Sequence, residues 1–160
     1  VTSFLDIGRV DNSIKQHLLE ACRQHVTARI AHAQQAIAAA SEAAASDGKS
    51  SAGDKYETTR EMMQQEIDRY QQSLANAKQM EQHLAAVDIR PQSGPATLGS
   101  LVETNRGTFF IAIGIGRLEV DGRAYGIVSP VSPIGAQLLG KTIGQRFVFN
   151  SQEYTVSQIA

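Results

Sequence analysis

Residues 88–95, Asp-Ile-Arg-Pro-Gln-Ser-Gly-Pro, divide the chain into two compositions. Before them, residues 13–86 are rich in Ala, Gln and Glu, hold no proline, and place glycine only at Gly48 and Gly53. After them, residues 96–160 are rich in Gly, Val, Ile, Thr and Phe. Pro91, Gly94 and Pro95 cannot continue a helix, so residues 91–95 read as a linker. The division predicts an α+β chain: a helical hairpin over residues 1–90, then a small β domain over 96–160.

The helical half carries two apolar stripes. In the first, Ile14, Leu18, Cys22, Val26, Ile30, Ala33, Ile37, Ala40 and Ala44 recur in steps of three and four, one face of a helix over about residues 13–46. Ser13 and Gln16 have the spacing of a capping box, which sets its expected start. In the second, expected over 52–86, the stripe is Met63, Ile67, Tyr70, Leu74, Ala77 and Leu84. Glu81 falls on this seam, and Met80 beside it is the residue expected to fill in. Ser51 and Asp54 offer a second cap. Two narrow stripes joined by a short connection predict an antiparallel coiled-coil hairpin. At ~1.5 Å per residue, an arm of about 33 residues reaches roughly 50 Å. An arm that narrow suits a probe or a dimerisation strut.

The β half shows extended runs. Ser100–Asn105 alternates loosely, and Gly107–Gly116 is a nearly continuous apolar run, as a buried central strand requires. Asp121-Gly122 marks a hairpin turn, and Asn150-Ser151 a second. Between them, Ser132 can cap a helix, Pro133 suits its first position, and Gly140 suits the position just past its end. One short helix is therefore expected over 133–139, in a module of four to six strands.

Several classes find no support. Net charge is −1 over 160 residues, which argues for neither nucleic acid nor an acidic membrane as a bulk partner. No apolar run approaches the ~18 residues of a membrane span, and no basic segment followed by an apolar one marks a signal peptide near the start, so a cytoplasmic protein is expected. Cys22 is the one cysteine and sits among apolar helical positions, so it reads as packing. His17, His25, His32 and His83 read as solvated helix residues; His25 and His32 are two turns apart, about 10 Å, too far to share one ion. Gly114-Ile-Gly116 lacks the third glycine and the following helix of a dinucleotide fingerprint, and reads as a strand corner.

The segment Val128–Phe149 carries Ser132-Pro133-Ile134 and then Leu138-Leu139-Gly140-Lys141. This pattern resembles the C-terminal signature of the bacterial Gre transcript-cleavage factors. The order of modules resembles that family too: a long antiparallel coiled coil, then an FKBP-like β domain. The resemblance covers nearly the whole chain from about residue 13. It implies RNA polymerase as partner, with the β domain docked at the mouth of the secondary channel and the coiled-coil tip inserted toward the active site. RNA 3′ ends and DNA would be met indirectly, and a monomer is expected. It also implies no cofactor of the protein's own. Mg²⁺ would be shared with the polymerase, which suits a hard ion held by one or two carboxylates and several waters. The motif residues Ser132, Pro133, Ile134, Leu139, Gly140 and Lys141 are expected to be mainly structural.

The tip, residues 46–57, departs from the family pattern of Asp, two residues, Glu, three residues, Tyr. With Tyr56 aligned to that Tyr, the acidic positions fall on Lys49 and Ala52. Asp54 and Glu57 keep the acidic spacing in a shifted register, and Asp47 lies nearby. Residues three apart share a helix face, so Asp54 and Glu57 are the candidates to act on a metal-bound water. The competing reading is that they favour a helix N-terminus, and that Asp47 is a turn residue beside Gly48. Lys49, Ser50, Ser51, Gly53, Lys55, Tyr56 and Arg60 are the candidate partner-binding residues. The expected function is a channel-occupying regulator, with a cleavage factor using Asp54 and Glu57 as the alternative. A third reading, an FKBP-like peptidyl-prolyl isomerase, needs an apolar pocket lined with aromatics. Phe109, Phe110, Tyr125, Phe147, Phe149 and Tyr154 are available for one, but Phe147 and Phe149 alternate to one face and are explained as core.

Overall fold

The structure, a computed structural model, describes the backbone of residues 4–47 and 54–160 and the side chains of residues 13–46 and 57–160. The fold is α+β. Two long helices, α1 (Phe4–Asp47) and α2 (Asp54–Ala85), precede strands β1 (Leu101–Thr104), β2 (Gly107–Ile111), β3 (Gly116–Val120) and β4 (Arg123–Val128). Helix α3 (Pro133–Leu138) and strands β5 (Arg146–Phe149) and β6 (Gln152–Ile159) complete it. Helix α1 starts at Phe4, nine residues before the expected Ser13, so Ser13 lies inside the helix and caps nothing. The Ser13/Gln16 spacing was a chance match to a capping box.

The chain forms two compact units: residues 24–82, and residues 1–23 together with 83–160. In the first, the helices pack together along the expected stripes. Val26, Ala33 and Ala77 are buried. Ile30, Ile37, Ile67, Tyr70 and Leu74 are half-buried. The Arg29 guanidinium of α1 meets Met80 Sδ of α2 at 3.8 Å. Met80 is half-buried and Glu81 exposed, so a one-position offset takes the carboxylate off the seam. Alanine at 33 and 77 has no side-chain rotamers to lose, and its small size suits close approach of the partner.

In the second unit the six strands form one sheet in the order β3-β4-β2-β1-β6-β5. All neighbours are antiparallel except β2 and β4, which run parallel with Phe109 opposite Gly126 and Ile111 opposite Val128. The parallel pair arises because the chain leaves β2 at Ile111, turns a corner through 112–115, and lays β3 outside β4. Asp121 and Gly122 both have positive φ, 53° and 78°, between Val120 and its partner Arg123. This is the left-handed two-residue turn whose twist matches the strands it joins. Asn150 and Ser151 repeat it between β5 and β6 at φ 49° and 62°.

The core against α3 gathers Ala96, Val102, Ile111, Leu138, Phe147 and Val156, with Phe109, Ile134, Leu139 and Tyr154 at its margin. The alternating positions Phe110, Tyr125 and Ile127 on the other face are buried as well. Leu18, Leu19, Cys22 and Leu84 are buried in this same compact unit. His17 Nδ1 lies 2.5 Å from Asp121 Oδ2, which brings the first part of α1 to the β3–β4 turn. Burial raises the Cys22 thiol to about 11, because a thiolate there would lose its hydration.

Gly135 is the tightest point of α3. A Cβ there would fall 1.8 Å from the Ser129 carbonyl oxygen. Gly135→Ala is therefore expected to lower unfolding free energy by about 1–3 kcal/mol in urea titrations. Gln137→Ala, on the exposed side of the same helix, should stay within about 0.5 kcal/mol of the parent. Cys22 is expected to resist a chromogenic disulfide reagent at pH 8 and to react only as the chain unfolds; prompt stoichiometric reaction in buffer would contradict its burial.

Candidate functional site

The hairpin connection and the α3 region are the two places that the sequence singles out. Helix α1 ends at Asp47 and helix α2 begins at Asp54, two residues later than expected. Of the tip candidates, Lys49, Ser50, Ser51 and Gly53 lie outside the described residues, as do the side chains of Asp47, Asp54, Lys55 and Tyr56. Glu57 and Arg60 are described, and both are exposed in the first two turns of α2. Glu57 is thus an oxygen donor accessible to a cation or a basic partner group. Arg60 is a forked donor at the next i+3 position. Asp54 precedes Glu57 by three positions on the same helix.

The Ser-Pro-Ile to Gly-Lys segment builds a short helix with both ends satisfied. Ser132 Oγ accepts the Gly135 N–H at 3.1 Å and donates to the Ser129 carbonyl at 2.6 Å. Pro133 takes the first helical position, where no N–H is needed. Ile134 and Leu139 pack at the margin of the core, and Leu138 is fully buried in it. Gly140 turns the chain at φ 80° and donates its N–H to the Ala96 carbonyl at 2.8 Å. The Lys141 carbonyl accepts the Ala96 N–H at 2.9 Å, and Lys141 Nζ sits 5.7 Å from the Phe147 ring centre. This segment ties the end of the linker to the sheet.

The aromatics of the β half pack on one another. Phe147 and Tyr154 stack with ring centres 5.0 Å apart, and Phe109 and Phe149 approach Tyr154 at 6.2 and 6.4 Å. Phe110 and Tyr125 are buried on the other face. Phe110, Tyr125 and Phe147 are buried core, and Phe109, Phe149 and Tyr154 are half-buried at its margin. Among the described residues, no three His, Cys, Asp or Glu side chains stand close enough to hold a metal ion. His17 is bonded to Asp121, His25 and His32 line one groove on the hairpin, and His83 is exposed.

Two features escaped the sequence reading. Lys15 is 2% exposed. It precedes Leu19, Cys22 and Val26 by four, seven and eleven positions, a helical spacing that a stripe built only from apolar residues passes over. Asp88, just past α2, accepts the Arg90 backbone N–H at 3.0 Å and a two-pronged contact from the Arg90 guanidinium at 2.7 to 3.1 Å. Those bonds, chiefly the guanidinium's, lower the Asp88 carboxyl from 3.8 to about 2; Lys15 adds a smaller pull in the same direction. Gly99 lies flat against this segment, where a Cβ would fall 1.9 Å from the Asp88 carbonyl oxygen. The Asp-x-Arg spacing is the signal that could have found the contact.

The folded value of Asp88 lies below the unfolded one, so its contact stabilises the fold above pH ~4 and is lost as pH falls from about 4 to about 2. A carboxyl NMR titration is expected to place the Asp88 midpoint near 2, and Arg90→Ala to return it toward the ordinary aspartate range. A midpoint near 4 in the parent chain would show that the contact does not form in solution. Compared with protein-family models, with curated proteins and with solved structures, the chain has no match in any of the three.

Proposed function

We propose that this chain is a regulator of bacterial RNA polymerase, of the Gre type, that occupies the enzyme's secondary channel. In this reading the helix pair is a coiled-coil arm and the sheet with α3 is an FKBP-like docking module. The observation that carries the reading is the pairing, in one chain, of a long two-helix arm with the Ser132-Pro133-Ile134…Gly140-Lys141 helix. The arm has no apolar interior beyond its seam, and its first described α2 turns present Glu57 and Arg60 to solvent. A narrow arm with a charged end fits insertion into a charged channel better than formation of a pocket of its own.

The protein acts on this reading as an accessory factor in the cytoplasm, as a monomer, without a resident cofactor. Its contribution is steric and electrostatic. The arm fills the channel, and Lys49, Lys55 and Arg60 face the polymerase's acidic groups or the displaced RNA 3′ end. The alternative within the same partner class rests on Asp54 and Glu57. Mg²⁺ shared with the polymerase would supply an activated water there. Asp54 and Glu57 would supply the carboxylates, and Lys49 in the position of a family acid would weaken that site. The loss of one acid at Lys49 and of the other at Ala52 favours the regulator.

The test is a stalled, backtracked bacterial polymerase complex, with binding and transcript cleavage measured on the same samples. Binding with no acceleration of cleavage is expected, and Asp54→Ala with Glu57→Ala should leave both readouts unchanged to within about twofold. Mg²⁺-dependent cleavage that disappears in the double variant would establish the cleavage factor instead. Absence of binding at micromolar protein would overturn both.

A further inference from the structure

Strand β3 forms one edge of the six-stranded sheet and pairs only with β4. Its register with β4 fixes which of its backbone groups point outward. Val120 faces Arg123 across the two-residue turn, so these two exchange both of their main-chain bonds. Bonded and unbonded pairs alternate along an antiparallel ladder. Leu118, opposite Tyr125, and Gly116, opposite Ile127, therefore bond inward to β4. Arg117 and Glu119 turn their N–H and C=O groups away from the sheet. Among the described residues, no other segment bonds to these two backbones.

An open edge of this kind invites another strand, and natural edges are blunted by proline, bulges or charge. Strand β3 has no proline, and its two charges are of opposite sign, two positions apart. Arg117 and Glu119 share one face of the sheet and approach to 3.7 Å, with 77% and 73% of their side chains exposed. Leu118 lies on the other face and is half-buried.

A second copy of β3 can lie antiparallel alongside the first, with a two-fold axis at Leu118. Arg117 then stands directly opposite the partner's Glu119, and Glu119 opposite the partner's Arg117. These are the residues whose backbone groups face outward, so each pair exchanges both of its main-chain bonds. Opposite charges placed across a strand pair add to those bonds, and like charges repel. A shift of two residues in either direction opposes arginine to arginine or glutamate to glutamate. A shift of one opposes outward backbone groups to inward ones. Strand β5, at the other edge, lacks this match. Its turn leaves Arg146 and Val148 outward, and a two-fold axis there sets the arginine against a valine. A net charge of −1 leaves little long-range repulsion between two copies. We propose that β3 is a self-pairing edge, at which a second copy of this chain adds antiparallel about Leu118 and continues the sheet. The contact is small and its charges are exposed, so it is a weak, concentration-dependent association of the free chain. It is separate from the single chain proposed to enter the polymerase and does not rest on that reading.

Sedimentation equilibrium of the full chain, from about 10 µM to about 1 mM, is expected to show the mean mass rising from one chain toward two. Glu119→Arg sets arginine against arginine at both pairs, and Arg117→Glu sets glutamate against glutamate. Each variant alone is expected to keep the mass of one chain and the thermal melt of the parent, because both side chains are exposed. Mixed in equal amounts, the two variants regain opposite charges at both pairs, and the rise in mass should return. In the parent, amide exchange at Arg117 and Glu119 should slow by about threefold at the highest concentration, with Leu118 unchanged. Four results would each overturn the proposal: a one-chain mass in the parent throughout, association that persists in either variant alone, a mixture that stays as single chains, or an associating parent with unchanged exchange at Arg117 and Glu119.

Discussion

A pair of helices joined by a short connection can bury only the one face that each turns to the other. That constraint governs the hairpin. Val26, Ala33 and Ala77 supply its fully buried seam, and half-buried Ile30, Ile37, Ile67 and Leu74 border it. Most of the other described residues of the arm are exposed. The arm's chemistry therefore lies on its surface, with Glu57 and Arg60 near the connection.

The sheet unit depends on a different economy of space. Both faces of the sheet carry buried residues, one in the α3 cluster around Ile111 and Leu138, the other at Phe110, Tyr125 and Ile127. The approach of α3 is set by backbone contact, since Gly135 leaves no space for even a methyl group against Ser129. The Ser132 cap and the Ala96–Gly140–Lys141 bonds then close both ends of that helix. Residues that carry the family resemblance thus have structural work of their own, and the functional reading rests on their combination with the arm.

Much of the architecture was legible because it is periodic or local. The two stripes recur at helical spacing, so Leu18, Cys22 and Val26 were recognisable as buried from their positions alone. Asp121-Gly122 and Asn150-Ser151 announce their turns because few residues tolerate positive φ. Ser132-Pro133 announces α3 because the serine side chain caps the helix and proline suits its first position. The start of α1 was misread because a serine three residues before a glutamine has the spacing of a cap, and nothing local reveals that the helix already runs through it. The candidate tip was legible as a charged connection and no further, since Asp54 and Glu57 satisfy a helix N-terminus and a metal-directed pair equally well by sequence.

By itself the sequence determined the element types, the seam, the turns and the capped helix, because each depends on residues within a few positions of one another. Tertiary structure alone decided what depends on distant groups. It laid β4 between β2 and β3, so that one parallel pair enters an otherwise antiparallel sheet. It buried Lys15, joined His17 to Asp121, and grouped residues 1–23 with 83–160 as one compact unit. It also brought Ser73 to the groove of His25 and Arg29. These pairings form when surfaces far apart in the chain exclude water together, and no local spacing encodes which surfaces will meet.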